Sequence, residues 1–167
     1  MTRSTLFPPI GGWDSLHPLI VHLPIGILYV AGIWVGLGVV PSSKPRPADL
    51  CGLLLVWVGT ICAWVTVSTG RAAGALVERT DEIAAVLSRH AWLAGLTRNS
   101  FTALAVLYAA IVLVPRLVGK DLPAVPRFLV RGLFGALYLG ALLLIAHTAH
   151  LGGVMVHDLG VQAMIPR

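Results

Sequence analysis

The stretch that decides the fold lies at residues 15–43 and reads SLHPLIVHLPIGILYVAGIWVGLGVVPSS, without a single Asp, Glu, Lys or Arg. A helix that crosses a membrane needs about 20 mostly apolar residues, so this run is long enough to form one. Three further uncharged runs follow it, at residues 50–70, 99–115 and 132–157. The sequence therefore predicts four membrane-spanning helices.

The composition of the whole chain agrees with this prediction. Apolar residues make up 57% of the 167 positions and charged residues only 11%, with a mean hydropathy of +0.87. Soluble domains carry about a quarter charged residues. The composition thus excludes a soluble domain, a disordered chain, a nucleic-acid-binding module and a disulfide-rich secreted scaffold. We predict one all-α integral membrane domain over residues 1–167, a four-transmembrane-helix bundle with both termini on the same side.

The predicted spans and their interruptions follow from the same pattern. We place the spans at about residues 16–40, 50–70, 92–115 and 129–151, and a surface helix at about residues 74–90. Pro24 removes one backbone hydrogen bond from the first span, which predicts a kink near His22. Gly152 and Gly153 are expected to break the fourth span.

The distribution of Lys and Arg predicts the orientation. We call residues 1–14, 71–98 and 158–167 side A, and residues 41–49 and 116–131 side B. Each side carries six Lys and Arg residues, but those of side B lie within 25 residues and those of side A within 52. Because positive charge concentrates in short cytoplasmic loops, we predict that side B is cytoplasmic. The protein would then lie in a bacterial inner membrane with periplasmic termini.

All six histidines fall at or near side A, namely His17, His22, His90, His147, His150 and His157. Ionisable side chains at membrane depth are costly and are functional by default. Two imidazoles from different helices of a bundle can ligate haem b. We predict His22 and His150 as this axial pair, with His147 as the alternate. His17 and His90 are the candidates for a second haem.

Three arginines on the same side predict contacts to haem propionates, because guanidinium groups bind carboxylates through paired hydrogen bonds. They are Arg71, Arg89 and Arg98. Arg98 lies inside an apolar stretch and is expected to need an anionic partner.

Other interpretations of the histidines remain open. Three or four imidazoles can bind copper or zinc, and histidine can relay protons. The chain can also be a non-redox accessory subunit that contacts partner helices through its Gly- and Ala-rich spans. Catalysis by this chain alone is not expected, because the sequence offers no nucleophile–base set, no paired buried carboxylates and no phosphate-binding loop.

Residues 16–25, LHPLIVHLPI, resemble the opening motif of domain-of-unknown-function family 2231, a family of four-span membrane proteins. Ser68-Thr-Gly70 is similar to the family's second landmark, and residues 152–161, GGVMVHDLGV, resemble its closing pattern. The family has no assigned activity, so the resemblance implies no catalytic residues. Members are also fused to c-type cytochrome domains, which implies work beside a periplasmic c-type cytochrome.

Taken together, these features predict a membrane-embedded, b-type cytochrome-like electron-transfer protein. It would hold one or two haem b groups near the periplasmic face. Its partners would be the lipid bilayer and the other membrane subunits of a larger respiratory or photosynthetic complex.

Overall fold

The computed structural model describes residues 12–40, 47–120 and 122–161, and all regular structure within these ranges is helical. A 3-10 turn at Asp14–Leu16 is followed by five helices: α1 (His17–Ile20), α2 (His22–Val39), α3 (Pro47–Ala75), α4 (Asp81–Val118) and α5 (Ala124–His157). The segment Asp14–Val39 and helices α3, α4 and α5 are each long and apolar enough to cross a membrane. The predicted four-span, all-α architecture is confirmed.

The four spans form a closed bundle. Helix α2 contacts α3 and α5, and α4 contacts α3 and α5 as well. Short connections between consecutive spans make the neighbouring helices antiparallel. The outer surface carries exposed Leu, Val, Ile and Trp side chains along every span, as expected for a protein whose solvent is lipid.

Aromatic side chains fill the centre of the bundle. The rings of Tyr108 and Phe134 stack with centroids 4.8 Å apart, and Phe101 meets Tyr138 edge to face at 5.5 Å. The Tyr138 hydroxyl donates a 2.8 Å hydrogen bond to the carbonyl oxygen of Leu28. This bond ties α5 to α2 and satisfies a buried phenol that would otherwise be costly in a dry interior.

The helices extend beyond the uncharged runs that predicted them. The predicted surface helix at 74–90 is not a separate element, because α3 continues to Ala75 and α4 begins at Asp81. Thr80 caps α4 by accepting a hydrogen bond from the Ile83 N–H. Acidic residues in a first helical turn are favourable, so the charged residues that end an uncharged run do not have to end the helix.

The fourth span also differs from its prediction. Helix α5 begins at Ala124 and continues through Gly152 and Gly153 to His157. Glycine inside a helix costs only about 1 kcal/mol, which packing can offset. The predicted break at these two glycines is therefore wrong.

The first span is interrupted at Val21, which separates α1 from α2. Pro24 has no N–H group, so the carbonyl group of Ile20 lacks its usual helical partner four residues on. Val21 keeps helical torsion angles, with φ −57° and ψ −29°, so the kink near His22 stays a prediction.

Candidate functional site

The structure separates the six histidines into two groups. His17 and His90 are half-buried between helices, whereas the other four are exposed on α2 and α5, namely His22, His147, His150 and His157. The predicted axial residues His22 and His150 therefore both face outward. His22 Nδ1 donates to the carbonyl oxygen of Pro18 in its own span, at 2.9 Å.

The ring of His17 is fixed by α3. Its Nδ1 lies 3.2 Å from Thr69 Oγ1, and the Thr69 hydroxyl donates its own proton to the Thr66 carbonyl oxygen at 2.9 Å. Thr69 Oγ1 can therefore only accept from His17, so Nδ1 carries a proton, and in the neutral imidazole the lone pair is then on Nε2. The fit is close, since a Cβ atom at Gly70 would lie 2.8 Å from His17 Cε1.

The ring of His90 is fixed in the same way by α5. Its Nδ1 donates to the Thr148 carbonyl oxygen at 3.0 Å, which again puts the lone pair of the neutral ring on Nε2. The Thr148 hydroxyl donates to the Leu144 carbonyl oxygen and so accepts from Thr97 Oγ1 at 3.0 Å. This second bond also joins α4 to α5.

We call His17 and His90 the histidine pair. The His17 ring lies against Gly70 of α3, and the His90 ring lies against Gly152 of α5. Within residues 12–40, 47–120 and 122–161, neither Nε2 atom has a hydrogen bond. Beside His17, the buried hydroxyl of Thr66 also has no partner in the described part of the chain. The pair is thus oriented through both Nδ1 atoms and leaves two lone-pair donors for a ligand.

The predicted propionate contacts differ in their surroundings. Arg71 and Arg89 are exposed at side A. The Arg98 guanidinium lies 4.2 Å from the centre of the Trp64 ring and donates to Asn99 Oδ1 at 2.9 and 3.1 Å. A neutral amide and an aromatic face therefore take the place of the anionic partner that we expected for Arg98.

A second polar group lies at side B, and sequence reasoning missed it. Asp49 is only 3% exposed, and Arg131 binds both of its carboxylate oxygens, at 2.8 and 3.0 Å. Arg131 also donates to the Gly38 carbonyl oxygen at 2.8 Å, and Arg116 Nη2 lies 3.6 Å from Asp49 Oδ2. We call Asp49, Arg116 and Arg131 the charge cluster.

The charge cluster was hidden because Asp49 and Arg116 were assigned to the loops at residues 41–49 and 116–131, and Arg131 to the boundary between the second loop and the fourth span. In the structure they lie within α3, α4 and α5. One signal was available: Asp49, Gly52 and Val56 follow a helical i, i+3, i+7 pattern, and all three are buried. Tyr108 Oη is also buried next to the cluster and has no hydrogen-bond partner among the described residues.

The described part of the chain contains no group of three or more His, Cys, Asp or Glu residues that could bind one metal ion.

Comparison with known proteins does not identify the chain. No family model matches the chain, and neither the curated proteins nor the solved structures contain a match.

Proposed function

We propose that this protein is a membrane-embedded, b-type cytochrome-like electron-transfer protein, and that the histidine pair ligates its haem at side A. One observation carries the proposal: two imidazoles from different helices have their Nδ1 atoms tied by threonines. Histidines that ligate metals almost always donate their other ring N–H to an oxygen in this manner. The Nε2 atoms of His17 and His90 are then the ligating atoms.

The number of donors favours haem over a bare metal ion. Haem iron needs at most two axial ligands from the protein, whereas zinc sites use three or four protein ligands. A bound haem b would supply one-electron redox chemistry. Thr69 and Thr148 would hold the rings in position, and Arg71 and Arg89 lie on the correct side to bind propionates.

This assignment changes the axial pair. His22 and His150 are exposed on the outer surface of the bundle, where they could serve only a group held outside it. We therefore transfer the axial role to His17 and His90, which the sequence had suggested for a second haem.

The test is a reduced-minus-oxidised absorption spectrum of protein purified from its native membrane, with haem per chain measured as the pyridine haemochrome. We expect a sharp b-type α-band. His17→Ala and His90→Ala should remove it, and the matched variants His22→Ala and His150→Ala should keep it. Absence of a Soret band in the unmodified protein would refute the proposal, and loss of the band only in the second pair would restore the ligands predicted from the sequence.

A second candidate is a non-redox accessory subunit, because the same hydrogen bonds join α1 to α3 and α4 to α5. In that case His17→Ala and His90→Ala would lower the unfolding midpoint in a protein that never contained haem. The spectrum of the unmodified protein therefore separates the two candidates.

The cellular setting is also our proposal. The density of Lys and Arg supports a bacterial inner membrane with side B cytoplasmic and side A periplasmic. Membership of family 2231, a place in a respiratory or photosynthetic complex and contact with a c-type cytochrome rest on the sequence resemblance alone.

Thiol labelling tests the orientation. In a Cys51→Ser, Cys62→Ser background, Glu78→Cys places a thiol on the exposed connection between α3 and α4, and Lys120→Cys places one at the exposed end of α4. A membrane-impermeant maleimide should label the first variant in intact spheroplasts and the second only after lysis. The reverse pattern would invert the orientation.

A further inference from the structure

The charge cluster brings two guanidinium groups to one carboxylate. Arg131 occupies both oxygens of Asp49 through a two-pronged contact, the strongest geometry available to this pair. Arg116 is therefore a second cation beside a carboxylate that Arg131 already binds, at 3.6 Å from Asp49 Oδ2. Among the described residues, Asp49 is the carboxylate that Arg116 contacts, and Arg131 already binds both of its oxygens.

Arg116 also has hydrogen-bond donors to spare. A guanidinium carries five N–H groups. In this structure Nη1 donates to the Val112 carbonyl oxygen of its own helix, and Nη2 faces Asp49 at more than hydrogen-bond distance. The Arg116 side chain is 28% exposed, so its remaining donors can be reached from outside the bundle.

The position of Arg116 indicates the chemistry of the ligand. It lies near the end of α4 at Val118, and Asp49 lies near the start of α3 at Pro47. This is the end of the bundle, where lipid phosphates lie and where basic pockets between helices bind anionic headgroups. Leu50 and Leu113, which neighbour the two charged residues along their helices, are exposed and offer acyl chains an apolar surface.

The inner side of the charge cluster is closely packed against the backbone of α2. A Cβ atom at Gly38 would lie 3.1 Å from Asp49 Oδ1, 3.4 Å from Arg131 Nη1 and 3.6 Å from Tyr108 Oη. These three groups thus converge on one point of the α2 backbone, and the two-pronged Asp49–Arg131 contact holds the carboxylate in place. Arg116 consequently lies beside a carboxylate whose position is fixed.

We propose that Arg116, where α3 and α4 meet at side B, binds the phosphodiester headgroup of an anionic phospholipid. Its planar fork matches pairs of phosphate oxygens. Asp49, which Arg131 binds through both carboxylate oxygens, is the positioning residue beside Arg116. The site is at the opposite end of the bundle from the histidine pair and is independent of haem binding.

The experiment measures the thermal unfolding midpoint of the detergent-solubilised protein, and bound lipid by native mass spectrometry, as dioleoyl phosphatidylglycerol is added. Parallel titrations use the zwitterionic dioleoyl phosphatidylcholine and inorganic phosphate. We expect phosphatidylglycerol alone to raise the midpoint. Arg116→Gln should weaken its binding about fivefold to tenfold, Arg116→Lys should weaken it less, and Lys120→Gln, which removes an exposed cation from the same side, should leave it unchanged.

Three results would overturn the proposal. Equal binding of both lipids, or unchanged phosphatidylglycerol binding by Arg116→Gln, would make the cluster structural only. Equal protection by inorganic phosphate would assign the site to a free anion. Arg116→Lys retains the charge beside Asp49, so it reports on binding even if Arg116→Gln folds poorly.

Discussion

The two ends of this bundle are joined by different chemistry. At side B, α3 and α5 are connected by a buried, two-pronged ion pair between Asp49 and Arg131. At side A, the helices are joined by imidazoles and hydroxyls, through the histidine pair and its threonines. Every oxygen of the Asp49 carboxylate is used, whereas both imidazoles keep an Nε2 lone pair.

The energies of these contacts differ as much as their chemistry. Removing one partner of a buried ion pair costs about 3–5 kcal/mol. A hydrogen bond between membrane helices contributes on average about 0.6 kcal/mol, with a maximum near 1.7. Truncation at side B should therefore cost more than truncation at side A. The comparison places the contact that is most costly to break and the proposed ligand site at opposite ends of the fold.

Asp49→Ala should produce the largest effect. It leaves two arginines at the bundle end without their shared carboxylate, so we expect the free energy of unfolding to fall by about 3–5 kcal/mol. Denaturant titration in detergent measures this change. The matched variant Asp158→Ala removes an exposed carboxylate and should change stability by no more than about 0.5 kcal/mol. If the two variants lowered the free energy of unfolding equally, the ion pair at side B would not have the stabilising role that we assign to it.

Gly70→Ala should disturb side A directly. The new Cβ would lie 2.8 Å from His17 Cε1, so the ring must shift away from Thr69. We expect a loss of about 1–3 kcal/mol in stability and a lower haem content. Gly95→Ala is the control, because nothing lies within 4 Å of a Cβ atom there. A Gly70→Ala variant as stable and as haem-replete as the control would contradict the geometry around His17.

Two threonine variants compare a bonded hydroxyl with an unbonded one. Thr148→Val leaves the buried Thr97 hydroxyl without its partner and should destabilise the protein by about 1 kcal/mol. Thr66→Val removes a buried hydroxyl that has no partner in the described part of the chain, so it should be neutral or stabilising. Thermal unfolding of both variants side by side is the measurement, and the opposite order would show that Thr66 has the more important contact.

Arg98→Gln should have the smallest effect. It removes the contact with the Trp64 ring, which is worth about 0.5–1 kcal/mol at an exposed site. Because Arg98 is already engaged by Trp64 and Asn99, its loss should leave haem content unchanged. Arg89→Gln, at an exposed position on the same side, tests the proposed propionate contact. If Arg98→Gln lost haem and Arg89→Gln did not, Arg98 would be the residue that contacts the propionate.

The sequence predicted the number of spans correctly because uncharged runs of sufficient length are visible without structural knowledge. It underestimated the helices, since Asp81 and Glu82 occupy the favourable first turn of α4. It missed the charge cluster for a related reason. Asp49 and Arg131 are charged residues that pair inside the bundle, whereas the hydropathy pattern placed them at the ends of loops.

The histidines show a different limit. Their common position at side A could be predicted from the order of the spans, but the directions of their rings could not. Membrane helices are apolar on both their lipid-facing and their buried sides, so periodicity does not distinguish the two. His17 and His22 differ by only five positions, and yet the first is half-buried and the second exposed.

The interruption at Val21 has a dynamic consequence. His17 belongs to a four-residue helix that is too short to be stable by itself. Val21 keeps helical torsion angles, but the missing N–H group of Pro24 removes one hydrogen bond where this helix continues into α2. The segment from Asp14 to Val21 can therefore open as a small cooperative unit while the bundle stays folded. Its amide protons should exchange with solvent long before those of α2. Access to the proposed ligand site would then be governed by a local equilibrium of the first eight residues of the span and not by unfolding of the protein.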